Sequence, residues 1–245
     1  NKMTETIKAN DPKNREEFLE LIAKKADRPR HELANDPLVF INDLPETTLS
    51  GLDQDELLAL AKTNSEAIHV DFKTVPVAKL SETLENFLTE KQIHSLLLPT
   101  FADEKWQEYG ILDWRNALDL DKVYFWDAKR GRDNLVDADQ SDAAIGFADY
   151  LLAESGTITA ATVKEQGRGF HFLPTHYLAI IPKSKILPRM RQAIDRYDEA
   201  MKTGKLKTSN INFISGPSNS GDIEMVLIVG VHGPLDMTYV VVEDL

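Results

Sequence analysis

Residues 68–98 read IHVDFKTVPVAKLSETLENFLTEKQIHSLLL, and three patterns follow one another along them. From Ile68 to Val75 apolar and polar residues alternate, as on a half-buried strand. Val77, Leu80, Leu84, Phe87 and Leu88 then recur at helical spacing and share one face. Ile93 to Leu98 is a short apolar run stopped by Pro99, the mark of a strand buried on both faces. Strand, helix and buried strand in that order argue for an α/β domain with a mostly parallel sheet.

The pattern continues outward in both directions. Upstream, Asp53 with Glu56 three residues later forms a capping box, and Leu57, Leu58 and Ala61 supply the apolar face of the helix it starts. Downstream, a helical piece is expected over 103–109 and strands over 123–126, 143–147, 157–163 and 177–181. Residues 186–202 carry Met190, Ala193, Ile194, Tyr197 and Met201 on one stripe, with Gly204 placed to end the helix. Ile211 to Ile214, part of Met225 to Val231, and Met237 to Val242 complete the β content. At the other end of the chain, Asp11 and Pro12 start a helix over 11–26 with Phe18, Leu19 and Ile22 on one face. A proline-punctuated stretch follows it to Gly51. Two parts are therefore expected: a helix and connector arm over 1–50, and an α/β domain over 51–245.

Composition narrows the function classes. The 245 residues carry a formal net charge of −12, a field that repels nucleic acid and anionic membranes. The chain has no cysteine, which removes disulfides, thiol nucleophiles and the thiolates that hold iron–sulfur clusters. No apolar run approaches the roughly 20 residues that span a bilayer, and the opening residues have no apolar signal core. A cytoplasmic protein is the expectation.

Residues able to do chemistry collect at the ends of elements. In open parallel sheets ligands bind beyond the carboxyl ends of the strands, which directs attention to the loops after Ile214 and Val231 and to the segment around Glu154. Ala153-Glu154-Ser155-Gly156-Thr157 offers a carboxylate beside a glycine turn with hydroxyls, suited to acid, base or nucleophile work. It reads equally as a tight turn whose hydroxyls satisfy local backbone groups. Ser215 to Asp222 is rich in small donors and is a candidate anion cradle ahead of a helix start; Asp222 reads equally as that helix's cap. It lacks the Gly-Lys-Ser/Thr ending of a phosphate-binding loop. His171, His176 and His232, with Glu154, Asp222 and Glu224, include metal-ligand types, but no ligand-spaced motif links them, and no metal is assigned. Arg168, between Gly167 and Gly169, is a candidate fork for a carboxylate or a solvated loop charge.

In chain order these pieces are Ile145-Gly146-Phe147-Ala148-Asp149, Ala153 to Thr157, Arg168, Leu173-Pro174-Thr175-His176, Ser215 to Ser218 with Asp222-Ile223-Glu224, and Gly230-Val231-His232-Gly233-Pro234. The string resembles the LUD domain family, most strongly over 143–242, and within it the lactate-utilisation protein C (LutC) branch. It departs from the family pattern at Ser155, where Thr is usual, and at Ser220-Gly221, where Thr-Ala is usual. The resemblance implies a three-layer αβα fold related to the ribose-phosphate isomerase and CoA-transferase group (the NagB/RpiA/CoA transferase-like fold). It implies a subunit of an L-lactate utilisation system that oxidises L-lactate to pyruvate beside LutA-like and LutB-like iron–sulfur partners, with no cofactor in this chain. On it, Glu154 and His232 are the acid–base candidates. Ser155, Gly156, Thr157, Arg168, His176, Gly216, Pro217, Ser218, Asp222, Glu224 and Gly233 are candidates for holding a small carboxylate. Two alternatives stay open beside it: a non-catalytic assembly or regulatory subunit that binds a small anion, and an acyl- or CoA-transferase-like enzyme with Glu154 as nucleophile.

Overall fold

The computed structural model describes residues 11–30, 39–220, 228–230 and 233–245. The chain divides into two compact units, Asn1–Asp43 and Leu44–Leu245. In the first, helix α1 (Pro12–Lys25) starts as its sequence directs, with the Asp11 carboxylate accepting from Lys13 N–H and Pro12 in the first turn. Phe18 and Ile22 of its apolar stripe remain exposed.

The second unit begins with a short helix, α2 (Leu44–Thr47), and then α3 (Gln54–Ala67), whose capping box forms in full: Asp53 accepts from Asp55 N–H and Glu56 N–H, and Glu56 accepts from Asp53 N–H. Strand β1 (Val70–Val75), helix α4 (Val77–Glu90) and strand β2 (Ser95–Pro99) realise the opening motif. Helices α5 (Asp103–Glu108) and α6 (Leu112–Asn116) lead to β3 (Lys122–Trp126), then α7 (Asp133–Asp139) to β4 (Ala143–Phe147). Strands β5 (Tyr150–Leu152) and β6 (Thr157–Ala161) precede helix α8 (Arg168–Phe172) and strand β7 (His176–Pro182). Strand β8 (Ile186–Leu187), helix α9 (Met190–Lys202), and strands β9 (Ile211–Ile214), β10 (Asn219–Ser220), β11 (Ile228–Val229) and β12 (Asp236–Val242) follow.

Six strands form one parallel sheet in the order β1-β12-β7-β4-β2-β3. Because successive side chains point to opposite faces, each strand feeds two cores. On one face Phe72, Leu97, Tyr177, Ala179, Tyr239 and Val241 pack with Leu57 and Ala61 of α3 and Phe170 of α8. On the other, Leu96, Leu98, Ile145, Ile180 and Val240 pack with Leu80, Leu84 and Phe87 of α4 and Trp106 of α5. The result is the expected three-layer α/β fold, with both faces covered as an all-parallel sheet requires.

Three elements differ from the sequence expectation. Strands β8-β5-β6-β9 build a separate four-stranded sheet. One of its faces joins the first core through Leu151, Ile158 and Ile214. Its other face meets Ala193 and Tyr197 of α9 through Leu152, Ala161 and Leu187. The helix expected over 186–202 begins only at Met190. Ile186 and Leu187 pair instead with Leu151 and Leu152, and Pro188 withholds a backbone donor from any earlier helical turn. Asn219–Ser220, expected to lead into a helix, pairs antiparallel with Ile228–Val229.

The helix α4 face gives a direct check on the second core. Leu84 is fully buried there, and Leu84→Ala is expected to cost about 2–5 kcal/mol. Urea unfolding should show a lower midpoint at an unchanged slope, because the substitution leaves a cavity without changing the surface exposed.

Candidate active-site cleft

The sheet changes direction between β2 and β4. From β2 the chain steps outward to β3, then crosses back to β4 and continues through β7 to β12. Strands β2 and β4 pair over only two positions, Leu96 with Ala143 and Leu97 with Ala144, and then part. Gln166 takes the vacated position beside β4. Its Oε1 accepts from Phe147 N–H at 3.0 Å and its Nε2 donates to Phe147 O at 2.8 Å. Gly146 permits that approach, since a Cβ there would lie 2.9 Å from Gln166 Oε1 and 2.7 Å from the Phe170 ring.

The opening leads into a cleft of about 340 Å³ at the carboxyl ends of β2, β4 and β7, lined by Phe101, Lys105, Phe147, Asp149, Lys185 and Tyr197 among others. This is the crevice position where open α/β sheets bind ligands. Asp149 follows β4 directly. Its Oδ2 accepts from Ala161 N–H at 2.7 Å and from Tyr197 O–H at 2.8 Å. Thr159 Oγ1 lies 2.7 Å from Tyr197 Oη, so with Tyr197 donating to Asp149 the threonine hydroxyl donates to the tyrosine. Among the described residues Oδ1 has no hydrogen-bond partner. Desolvation raises the Asp149 pKa, against the lowering effects of the Ala161 and Tyr197 bonds and of the Lys105 and Lys185 charges. Tyr197 is pushed strongly upward by desolvation and by the Asp149 charge, which keeps it a donor.

The residues singled out from sequence lie elsewhere. The turn at Glu154 packs on the end of α3. Asn64 Nδ2 donates to Ala153 O at 2.7 Å and Glu154 O at 3.0 Å. Gly156, at φ +65°, sits so close that a Cβ would lie 2.6 Å from Ser65 N. The Glu154 carboxylate accepts from Arg189 Nε at 2.7 Å and is 41% exposed. Ser155 donates to Thr157 Oγ1 at 2.8 Å, and Thr157 Oγ1 lies 2.8 Å from Ser215 Oγ, so a hydroxyl chain joins this turn to the loop after β9. In that loop Gly216, at φ +72°, turns against Ile68 O, and Pro217 is buried.

Gly216, Ser218 and Gly233 do come together. They line a second cavity of about 270 Å³ with Ser215, Asn219 and His171, beside the start of β12. His171 shares a 2.8 Å bond between Nδ1 and Tyr177 Oη, while among the described residues its buried Nε2 has no partner. Burial lowers its pKa to about 3, so the ring is neutral. The loop after Ile214 therefore follows a strand of the smaller sheet, not a carboxyl end of the parallel one. His176 stands at the amino end of β7, with Nδ1 3.0 Å from both Asp236 oxygens, and Lys91 Nζ holds the same carboxylate at 2.7 Å. Arg168 is exposed over the Phe172 ring. Its flanking glycines are explained by packing, since a Cβ at Gly167 would meet the Trp126 ring and one at Gly169 would meet Leu135. Asp222, Glu224 and His232 lie outside the described residues.

The domain model that matches residues 58–242 of this sequence is described as the LUD domain. The chain belongs to the LUD domain family. Its relatives include proteins named lactate utilization protein C from Geobacillus kaustophilus, 39% identical over 94% of this chain and 97% of theirs, and from Oceanobacillus iheyensis, 37% identical over 94% and 98%. The crystal structure of a DUF162 family protein from Deinococcus radiodurans is 16% identical and superposes with a TM-score of 0.55 over 78% of this chain and 99% of that one, which supports the fold. Among the described residues of this LUD protein, no helix is long and apolar enough to cross a membrane, and no three His, Asp or Glu side chains are grouped to hold a metal ion.

Asp149 was missed because nothing local marks it. It sits inside the Ile145–Asp149 string, but its partners Ala161 and Tyr197 are 12 and 48 residues away. Its raised pKa has a consequence for stability. A carboxyl whose folded pKa lies above its unfolded one opposes folding at neutral pH and does so less as the pH falls through the folded value. Asp149→Asn keeps an oxygen for both donors and removes the charge. The variant is expected to melt above the wild type at pH 7, by about 2–4 °C for each kcal/mol relieved. Melts recorded at successively lower pH should show the gap closing as the wild-type Asp149 takes up its proton.

Proposed function

We propose that this LUD domain protein is a cytoplasmic component of an L-lactate utilisation system and acts in the oxidation of L-lactate to pyruvate beside iron–sulfur partner subunits. The observation that carries this reading is the similarity, across nearly the whole of both chains, to proteins named lactate utilization protein C. The chemistry agrees with a division of labour. Oxidation of a 2-hydroxy acid removes a proton from the hydroxyl and two electrons with the second hydrogen from the carbon. A carboxylate such as Asp149 can take the proton. The electrons need an acceptor, and a chain without cysteine supplies no thiolates for an iron–sulfur cluster.

The acyl- or CoA-transferase alternative requires Glu154 as a free nucleophile. Glu154 Oε2 is held by Arg189 at 2.7 Å, and the residue does not line the carboxyl-end cleft, which does not favour it.

Deletion of the gene tests the proposal. Growth on L-lactate as sole carbon source should be lost, restored by the wild-type gene, and unchanged on pyruvate. Affinity purification from lactate-grown cells should recover cysteine-rich proteins. Undiminished lactate consumption in a deletion strain without a second copy sinks the reading.

A further inference from the structure

The carboxyl-end cleft is walled largely by rings, and most of its polar groups are taken up by one another. Two aromatic pairs line it. Phe101, from the loop after β2, and Phe147, from the end of β4, meet edge to face with centroids 5.7 Å apart. Tyr150 of β5 and Tyr197 of α9 do the same at 5.3 Å. Phe101 and Tyr150 are the partly exposed members of these pairs. Val163, Pro182 and Leu206 add aliphatic surface. Lys105 lies 4.7 Å from the Tyr109 ring centroid, with Nζ 3.5 Å from Glu108 Oε2 and 3.4 Å from Tyr109 Oη, so its charge is already matched. Gln166 spends both ends of its amide on Phe147. Tyr197 Oη bonds to Thr159 Oγ1 and to Asp149 Oδ2. Apart from the exposed Lys185, the capacity that remains is Asp149 Oδ1, an acceptor without a donor among the described residues.

We infer that this cleft binds a planar heteroaromatic ring that carries an N–H group, the ring lying against Phe101 and Tyr150 and the N–H donating to Asp149 Oδ1. Flat rings stack on aromatic side chains, and an N–H held by a carboxylate makes a charge-assisted bond. An ionised carboxylate only accepts, so a ring without an N–H forfeits that bond. A sugar fits less well. It brings hydroxyls on most of its carbons, and a wall of rings and aliphatic side chains leaves them unpaired. At about 340 Å³ the cleft is at the small end of ligand pockets, which suits one ring system. Nucleobases, nicotinamide and the flavin ring share this chemistry. The assignment does not rest on the lactate reading, and a hydroxy acid that used Oδ1 would compete with the ring for it.

Calorimetric titration of the purified full chain tests this with adenosine, nicotinamide and riboflavin as ring probes and ribose as the control. At least one ring should bind saturably, and which one does identifies the ring; ribose should not bind. Full methylation of the N–H group of that ring leaves the protein untouched and should weaken binding about tenfold. Phe101→Leu and Tyr150→Leu should each weaken it about tenfold in variants that still melt cooperatively. Asp149→Asn keeps an oxygen for Ala161 and Tyr197 but sets an NH2 donor where Oδ1 stood, and should weaken the ring about tenfold or more. Absence of saturable binding by all three rings overturns the inference. So does a methylated ring that binds as tightly as its parent, ribose that binds as tightly as the rings, or ring affinity indifferent to both aromatic substitutions in folded variants. Growth of a deletion strain on lactate bears on the metabolic reading alone and leaves the cleft assignment to these titrations.

Discussion

The insertion of β12 between β1 and β7 is the contact on which the rest of the main unit depends. Val70 pairs with Met237, and Met237 pairs with Tyr177 on its other side. Without that strand β1 has no neighbour in the sheet, and α3, which packs over β1, loses its floor. The pairing spans most of the chain, so loop-closure entropy is spent before any of it is recovered. The compensation is burial: Tyr239, Val240, Val241 and Val242 are all fully buried, alternating between the two cores. Parallel pairing of this kind forms slowly.

The same sheet separates two ends with different chemistry. At the amino ends, polar groups are matched to one another. Asp142 accepts from His94 N–H and Ser95 N–H, and Asp236 accepts from Lys91 and lies against His176. These carboxylates tie the starts of strands together and leave little capacity for a ligand. At the carboxyl ends the order reverses at β2 and β4, the backbone ladder opens, and one glutamine side chain substitutes for the missing strand. Gln166 satisfies the freed Phe147 groups, because an unpaired buried amide or carbonyl is costly. The gap is thereby kept open, and Asp149 lines the cleft it leads into.

Much of the architecture was legible because burial leaves a periodic trace. Leu96–Leu98 and Ala143–Phe147 read as strands because both faces of a parallel sheet are covered. The stripe on α4 read as a helix, and Asp53 with Glu56 marked the start of α3. Ile186 and Leu187 misled because two apolar residues ahead of an amphipathic run fit a helical stripe as well as a strand; only the proline between them and Met190 separates the two. The site was less legible, for a physical reason. Tight turns rich in Gly, Ser and Pro, such as Glu154–Thr157 and Ser215–Ser218, announce themselves locally. Here the first is bound to Asn64 and Ser65 of α3, and the second turns against Ile68. Asp149, Tyr197, Lys105 and Lys185 come from four separate segments, and no spacing rule connects them. The glycines of the Gly167-Arg168-Gly169 loop mark the close packing of Trp126, not the arginine between them.

The energetic logic of the cleft follows from holding a carboxylate where burial works against its charge. Desolvation raises the Asp149 pKa. Two hydrogen bonds on Oδ2 and two nearby ammonium groups oppose that without cancelling it. The residue is left short of the stabilisation an exposed aspartate has, and it lines the carboxyl-end cleft. A carboxyl held at this cost beside a cleft at the carboxyl ends of the sheet marks a candidate site.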